Sequence, residues 1–279
     1  MEKQIYKFTN EIDALEVSSL GAKIIVKANE TDEFRAEYSN PKDTPEFCAV
    51  LNGTTLSFKE KLSFSLFCPK PKEDYTIEVF VPKKKLAKLK ISTASGGADI
   101  GEVTAEEFEL STASGNIEIN AAFDNVRIQS ASGSVALTAP EITTAKSLSV
   151  CTVSGKAEIS HYRSEEYSLH SVSGKTSCDG ISGKGKISVT SGGIDVRYDE
   201  WNADLDISAI SGKINIALPE SSGIDVKFDG VSGSLRTDIG MEKGQFMNLG
   251  KGTSGVLGGE NRHKLNISLT SGNVQVMQQ

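Results

Sequence analysis

A Ser-Gly pair returns along this chain at nearly constant intervals, and that period restricts the fold more than any other property of the sequence. It appears in Ile91-Ser-Thr-Ala-Ser-Gly96, again in Leu110-Ser-Thr-Ala-Ser-Gly115, and near the end in Leu269-Thr-Ser-Gly272. Nine such pairs share a register, with glycines at 96, 115, 133, 155, 174, 192, 212, 233 and 272. Their spacings are 19, 18, 22, 19, 18, 20 and 21 residues, then 39, which is close to two ordinary steps. Self-similarity at about 20 residues marks a repeat architecture, in which a unit buries its apolar face only by stacking on its neighbours.

The units align on the glycine without gaps. Five residues before it the chain is apolar every time, from Ile91 and Leu110 to Phe228 and Ile267. Seven before it stand Leu89, Phe108, Leu148, Tyr167 and Leu205, with Gly185 as the outlier. Two and four after it the residues are mostly aliphatic, as in Ile117 and Ile119. The position two before, with Ala94, Val153, Ile210 and Val231, reads as a fifth inward column. Each unit is therefore a strand of period two, a corner, and a second strand of period two. Glycine at the corner is expected to supply a positive φ. The unbroken serine column, and the hydroxyls of Thr93, Thr112, Ser130, Thr152 and Ser171 three before the glycine, are suited to satisfy corner backbone and to bond along the stack.

Two folds compete for this pattern. In a meander of hairpins, positions equidistant from the loop share a face. Here the fourth residue after glycine is apolar, whereas the fourth before is Ser92, Ser111, Cys151 or His170. A corner that resets the inward parity accounts for the mismatch directly. The chain thus reads as all-β, a parallel β-solenoid with about 20 residues per rung. One domain spans 1–279: initial rungs and a strand-rich cap over 1–86, regular repeats over 87–239, a Gly-rich interruption over 240–262, and the last rung over 263–279. The interruption fills one missing repeat, as a loosened rung or a long surface loop. Leu62-Ser-Phe-Ser-Leu-Phe67 is expected either to cap the first rung or to form an exposed apolar patch.

The recurrent Leu-x-Ile-x-Thr-Ala-Ser-Gly-x-Ile-x-Ile, the Tyr75-to-Pro82 strand ending in Val-Pro and the late glycine-rich interruption resemble the bacterial "putative adhesin" family of β-strand-repeat domains. The resemblance covers residues 10 to 276 and implies a right-handed, single-stranded β-helix without an assigned enzymatic activity. It carries over no catalytic or binding residues.

Bulk properties narrow the function classes. A net charge of −7 disfavours a nucleic-acid partner, since phosphate neutralisation wants a basic surface. The cysteines Cys48, Cys68, Cys151 and Cys178 are too few and scattered for a disulfide framework, and none forms the C-x-x-C of a structural zinc site. No apolar run approaches a membrane span. The N-terminus lacks the apolar core of a signal peptide, so the chain is expected to be cytoplasmic unless a targeting segment was removed.

No residue set forms a convincing catalytic constellation. Cys151 and His170 fall in one outward column on consecutive rungs, a juxtaposition that can activate a thiol, but no carboxylate adjoins them there. Asp195 and Asp199, with Glu200, Asp204 and Asp206, form an acidic patch around Trp201 that reads as a solvated loop or, less simply, a calcium or sugar site. Gly244 and Gly250-Lys251 lack the spacing of a phosphate-binding loop. Lys83-Lys-Lys-Leu-Ala-Lys-Leu-Lys90 is either a guard against edge pairing or a contact for an anionic surface. The expectation is a non-enzymatic structural or interaction module without a cofactor, presenting a repeated surface to a protein or glycan, with self-association through the solenoid ends as a further option. The alternative is a carbohydrate-active lyase or hydrolase on a β-helix scaffold.

Overall fold

In the computed structural model, the described residues (2–9, 11–40, 46–60, 75–242 and 245–279) form strands, turns and bends, with no helix among them. The Leu62–Phe67 segment lies outside the described residues. Two compact units result, residues 1–129 with 133–140, and residues 130–132 with 141–279.

The first unit holds β1 (Glu2–Phe8), β2 (Ala14–Ser19), β3 (Lys23–Asn29), β4 (Phe34–Asn40), β5 (Phe47–Asn52), β6 (Thr55–Glu60), β7 (Thr76–Pro82), β8 (Lys85–Thr93), β9 (Ala98–Thr112), β10 (Ile117–Ser130) and β11 (Ser134–Thr138). The second holds β12 (Thr143–Thr152), β13 (Lys156–Ser160), β14 (Tyr162–Ser171), β15 (Lys175–Ile181), β16 (Lys184–Val189), β17 (Gly193–Tyr198) and β18 (Leu205–Ala209). It continues with β19 (Lys213–Leu218), β20 (Ser222–Gly230), β21 (Ser234–Thr237), β22 (Met247–Leu249), β23 (Thr253–Gly258), β24 (Asn261–Leu269) and β25 (Asn273–Gln278).

Residues one repeat apart are direct partners in parallel strands. Val150 faces Leu169, Leu169 faces Ile187, and Ile187 faces Ile207 along β12, β14, β16 and β18. Beyond the corner, Ala157, Thr176, Ile194 and Ile214 align in the same way along β13, β15, β17 and β19. In the first unit Ile91 faces Leu110, and Ile117 faces Val135. The Ser-Gly pairs are therefore corners of a β-solenoid-like stack and not hairpin tips. The columns seven and five before the glycine, and two and four after it, are buried throughout.

The fifth inward column is a correction. Val153, Ile210 and Val231 are 47%, 55% and 73% exposed, whereas Thr93, Thr112, Thr152 and Ser171, one residue earlier, are buried. Period two runs on from seven and five to three before the glycine, so the hydroxyl column points inward and the corner starts one residue later. There the Thr93 hydroxyl donates to the Gly96 carbonyl at 2.9 Å, and the Gly115 N–H donates to Thr112 Oγ1 at 3.0 Å. Those short side chains supply what buried corner backbone requires.

Eight of the corner serines, from Ser95 to Ser271, donate twice to one carbonyl of an adjoining rung. Ser173 gives its N–H (2.7 Å) and its hydroxyl (3.2 Å) to the Val153 carbonyl, and Ser191 does the same to Val172 at 2.7 and 3.3 Å. Corner glycine has a different cause from the one expected. Of the nine glycines only Gly272 has positive φ. At Gly115 a β-carbon would overlap the Gly96 carbonyl, 2.8 Å from its carbon, and Gly174 and Gly192 are crowded in the same way by Gly155 and Gly174. Stacked corners approach too closely for any side chain.

Sequence order and stacking order diverge in both units. In the first, β2 pairs in parallel with β6 on one edge and with β8 on the other, while β3 lies between β7 and β9. In the second, β24 lies between β18 and β20, and β25 between β19 and β21. Residues 263–279 are thus last in the chain but interior in the stack. The edges left open are covered by antiparallel strands: β5 on β6 and β4 on β7, with β1 beyond β4; then β23 on β20 and β22 on β21. The glycine-rich stretch after Gly240 supplies the second of these covers. An uncovered parallel edge would template aggregation, and doubling back across it removes that hazard.

Candidate functional site

The structure separates the sequence-selected residues by environment. Cys151 and His170 are partners in the β12–β14 register, both half-buried, and their column continues through Ser188 and Ser208 to Ser268 and Asp229. The carboxylate in that column therefore stands four strands beyond His170, out of reach of a thiol–imidazole pair.

Trp201, chosen as a surface residue, is in the core at 2% exposure. Its indole N–H donates to the Gly223 carbonyl at 2.9 Å, and its ring meets Tyr198 edge-on at 5.1 Å and His263 at 6.0 Å. The loop after β17 lacks the period-two pattern that labels inward residues, and burial of the largest apolar side chain anchors that loop.

The acids around it are neutralised locally. Asp199 lies 3.6 Å from Arg163 and 3.3 Å from Arg197, and Glu200 lies 2.9 Å from Arg163. Arg197 also pairs with Asp179, its register partner on β15. Burial pushes the Asp195 carboxyl up, but the Asn215 amide at 2.5 Å and the Lys175 ammonium at 3.0 Å outweigh it and hold the group below the usual carboxylate range. Asp204 accepts from the Lys264 backbone N–H, and Asp206 from the Asn266 amide, both at 2.8 Å. Sequence reasoning overlooked the arginines. Asp179 and Arg197 both stand five residues after their glycines, so a search for opposite charges in one column would have found that pair.

The basic run is likewise paired. Lys83, Lys84 and Lys85 reach Glu30 (2.5 Å), Asp13 (3.4 Å) and Asp124 (2.7 Å), and Lys88 reaches Glu109 at 2.8 Å. That hydrogen bond holds the Glu109 carboxyl below its ordinary range. Leu86, Leu89 and Ile91 between the lysines are fully buried, which is the structural reading of the run.

The interior also holds the Cys178 thiol, which burial pushes up to about 12 and keeps protonated. It lies with the buried, mutually hydrogen-bonded hydroxyls of Tyr167 and Tyr198, which burial also raises. The folded chain keeps the thiol proton that the unfolded chain releases above about pH 8.5. Its contribution is complete below that pH and is lost as pH rises toward 12. We expect unfolding in urea to show stability falling between about pH 8.5 and 10, before the tyrosines contribute, and Cys178→Ala to flatten that fall. Equal slopes in both proteins would refute the assignment.

In the first unit a recess of about 480 Å³ is lined by Lys27, Asp99, Glu118, Asn120 and Thr138; in the second, the solvent face of β12, β14, β16, β18, β24 and β20 is open to a ligand. Two shallow recesses adjoin there. One, of about 390 Å³, is lined by Glu166, Lys184, Lys186, Asp206 and serines 147, 149 and 168. The other, of about 470 Å³, is lined by Asp206, Lys227, Asp229, Asn266 and Ser268. Asp206 belongs to both. Among the described residues, no group of three or more His, Cys, Asp or Glu is placed to hold a metal ion, and no helix is long and apolar enough to cross a membrane.

Parallel stacking, hydroxyl-bonded corners and doubled-back edges define an all-β, solenoid-like repeat protein. The sequence pattern of the Toastrack domain, DUF4097, matches residues 12–277, and the chain belongs to that family. No curated protein matches it significantly. Among solved structures it is similar to a "putative lipid binding protein" from Parabacteroides distasonis, at 17% identity over 98% of this chain and 96% of the other, with a TM-score of 0.58. It is also similar to a "putative adhesin" from Parabacteroides merdae, at 9% identity over 99% and 96%, with a TM-score of 0.56. At these identities the likeness is one of fold.

Proposed function

We propose that the chain is a right-handed, single-stranded parallel β-helix of about 20 residues per rung, acting as a non-enzymatic interaction module. Its solvent face over β12 to β20 takes a protein or glycan partner. The observation that carries this reading is the pair of adjoining recesses around Asp206, bordered by charged and hydroxyl side chains and set on a ladder of strands. They alternate cationic and anionic side chains with hydroxyls and amides, which suits a polar partner held by several hydrogen bonds. The similar adhesin fold is in keeping with it. A polysaccharide-cleaving reading loses ground because Asp195, Asp199 and Glu200 are held by cations and amides instead of converging as an acid–base pair.

The test is calorimetric titration of the full chain with a panel of neutral and acidic bacterial polysaccharides and cell-wall fragments. The expected result is binding to one class, weakened about tenfold or more by Lys184→Glu with Lys186→Glu and Asp206→Lys, at an unchanged thermal midpoint. Undiminished binding by that variant would move the site elsewhere. Release of new reducing ends from a bound polysaccharide would make the chain an enzyme.

A further inference from the structure

The cover strand β23 offers an unguarded edge. It pairs antiparallel with β20 on one side and with no other strand among the described residues. The Gly259 N–H donates to the Ser222 carbonyl, so Gly255, Leu257 and Gly259 aim their backbone groups at β20; at the other end the Gly252 N–H closes on the Phe228 carbonyl and the Thr253 N–H turns to Gly250. Ser254, Val256 and Gly258 then aim theirs away, because donors alternate along a strand. Residues 252–259 read Gly-Thr-Ser-Gly-Val-Leu-Gly-Gly, without a charge or a proline. Protected edges carry such guards: β1 has Glu2, Lys3 and Lys7, and β22 is only three residues long.

We propose that this edge is occupied by the β23 of a second copy, running antiparallel about a two-fold axis at Val256. Alternation requires residues with outward backbone groups to face one another. Centring on Val256 then sets Ser254 opposite Gly258, and Leu257 opposite Gly255. Val256, 52% exposed in the monomer, meets its symmetry mate, and half-buried Leu257 gains the space over a glycine. The same register brings Lys251 of one copy to within one residue of the position opposite Glu260 of the other, twice by symmetry. Both are exposed, and neither has an ion-pair partner among the described residues. This self-complementarity of charge and size selects a second copy over an unrelated strand. The interface goes beyond the recess reading and uses none of its residues.

The experiment is sedimentation of the full chain over a concentration series reaching about 200 µM, a range that detects weak pairing. Wild type is expected to show a monomer–dimer equilibrium. Val256→Pro, which removes an outward N–H and leaves the β20 ladder intact, and Val256→Lys should both be monomeric with an unchanged thermal midpoint. Lys251→Glu should weaken the dimer about fivefold, from two lost ion pairs, and adding Glu260→Lys should restore it. A monomeric wild type at the top concentration, or association unaltered by Val256→Pro, overturns the proposal. So does association that Lys251→Glu leaves untouched.

Discussion

Gly115→Ala is expected to cost the fold about 3 kcal/mol and to lower the thermal midpoint by roughly 5 °C, despite adding a single methyl group. The methyl would enter the space of the Gly96 carbonyl, a backbone group fixed in its own corner that no rotamer change can move aside. Gly101→Ala is the matched control. Nothing lies within 4 Å of a β-carbon there, and its φ is not positive, so the substitution should be neutral or stabilise by about 0.5 kcal/mol. Gly115→Asn separates the two accounts of corner glycine. Asparagine relieves a positive-φ requirement but enlarges a steric one, so it should be at least as damaging as alanine. Recovery with asparagine, in thermal or urea unfolding, would reinstate the conformational account.

The second large effect lies at Gly185, the outlier in an otherwise apolar column. It faces Tyr167 in the β14–β16 register, and a β-carbon there would overlap the phenol carbon and hydroxyl and stand 2.7 Å from Leu205 Cδ1. The ring cannot withdraw, because its hydroxyl bonds to Tyr198 and it is fully enclosed. Gly185→Ala is expected to destabilise by about 2–3 kcal/mol. Tyr167→Leu alone should cost about as much, from the cavity it opens and the Tyr198 hydroxyl it strands. Together they should be milder than their sum by 1 kcal/mol or more, because the small column residue and the large one fill a single volume, and roughly that coupling is typical of residues in contact. Additivity in urea titrations of the four proteins would show that the residues do not share that space.

Glycine at 185 was visible in the alignment as an exception, yet nothing in the chain said that Tyr167 and Tyr198 meet behind it. The column reading succeeded where period two runs uninterrupted: Ile91, Leu110, Leu169 and Ile187 are buried as their spacing requires. It failed at the corners. Val153 and Ile210 are apolar and Thr152 is polar, and hydropathy alone assigns the inward position to the wrong one. Burial there follows backbone direction, and the threonine hydroxyl is admitted because the corner has groups for it to bond. Trp201 was misplaced for a similar reason, since its loop carries no period from which to infer a face. In the candidate site, Asp195 and Asp199 could be named from sequence, but their partners Lys175 and Arg163 depend on which rungs adjoin.

From sequence alone came the strand–corner–strand unit, its stacking in parallel, and the residues of four buried columns. All of these rest on a short-range period that repeats until chance is excluded. Tertiary structure alone decided the order of the stack. Residues 14–29 and 263–279 slot between rungs that are their distant neighbours in the chain, and antiparallel strands seal the edges this leaves. The physical reason is that every rung presents much the same ladder of donors, acceptors and aliphatic side chains above and below. Local pattern therefore says what a rung is, and only the need to leave no parallel edge open says where the first and last ones go.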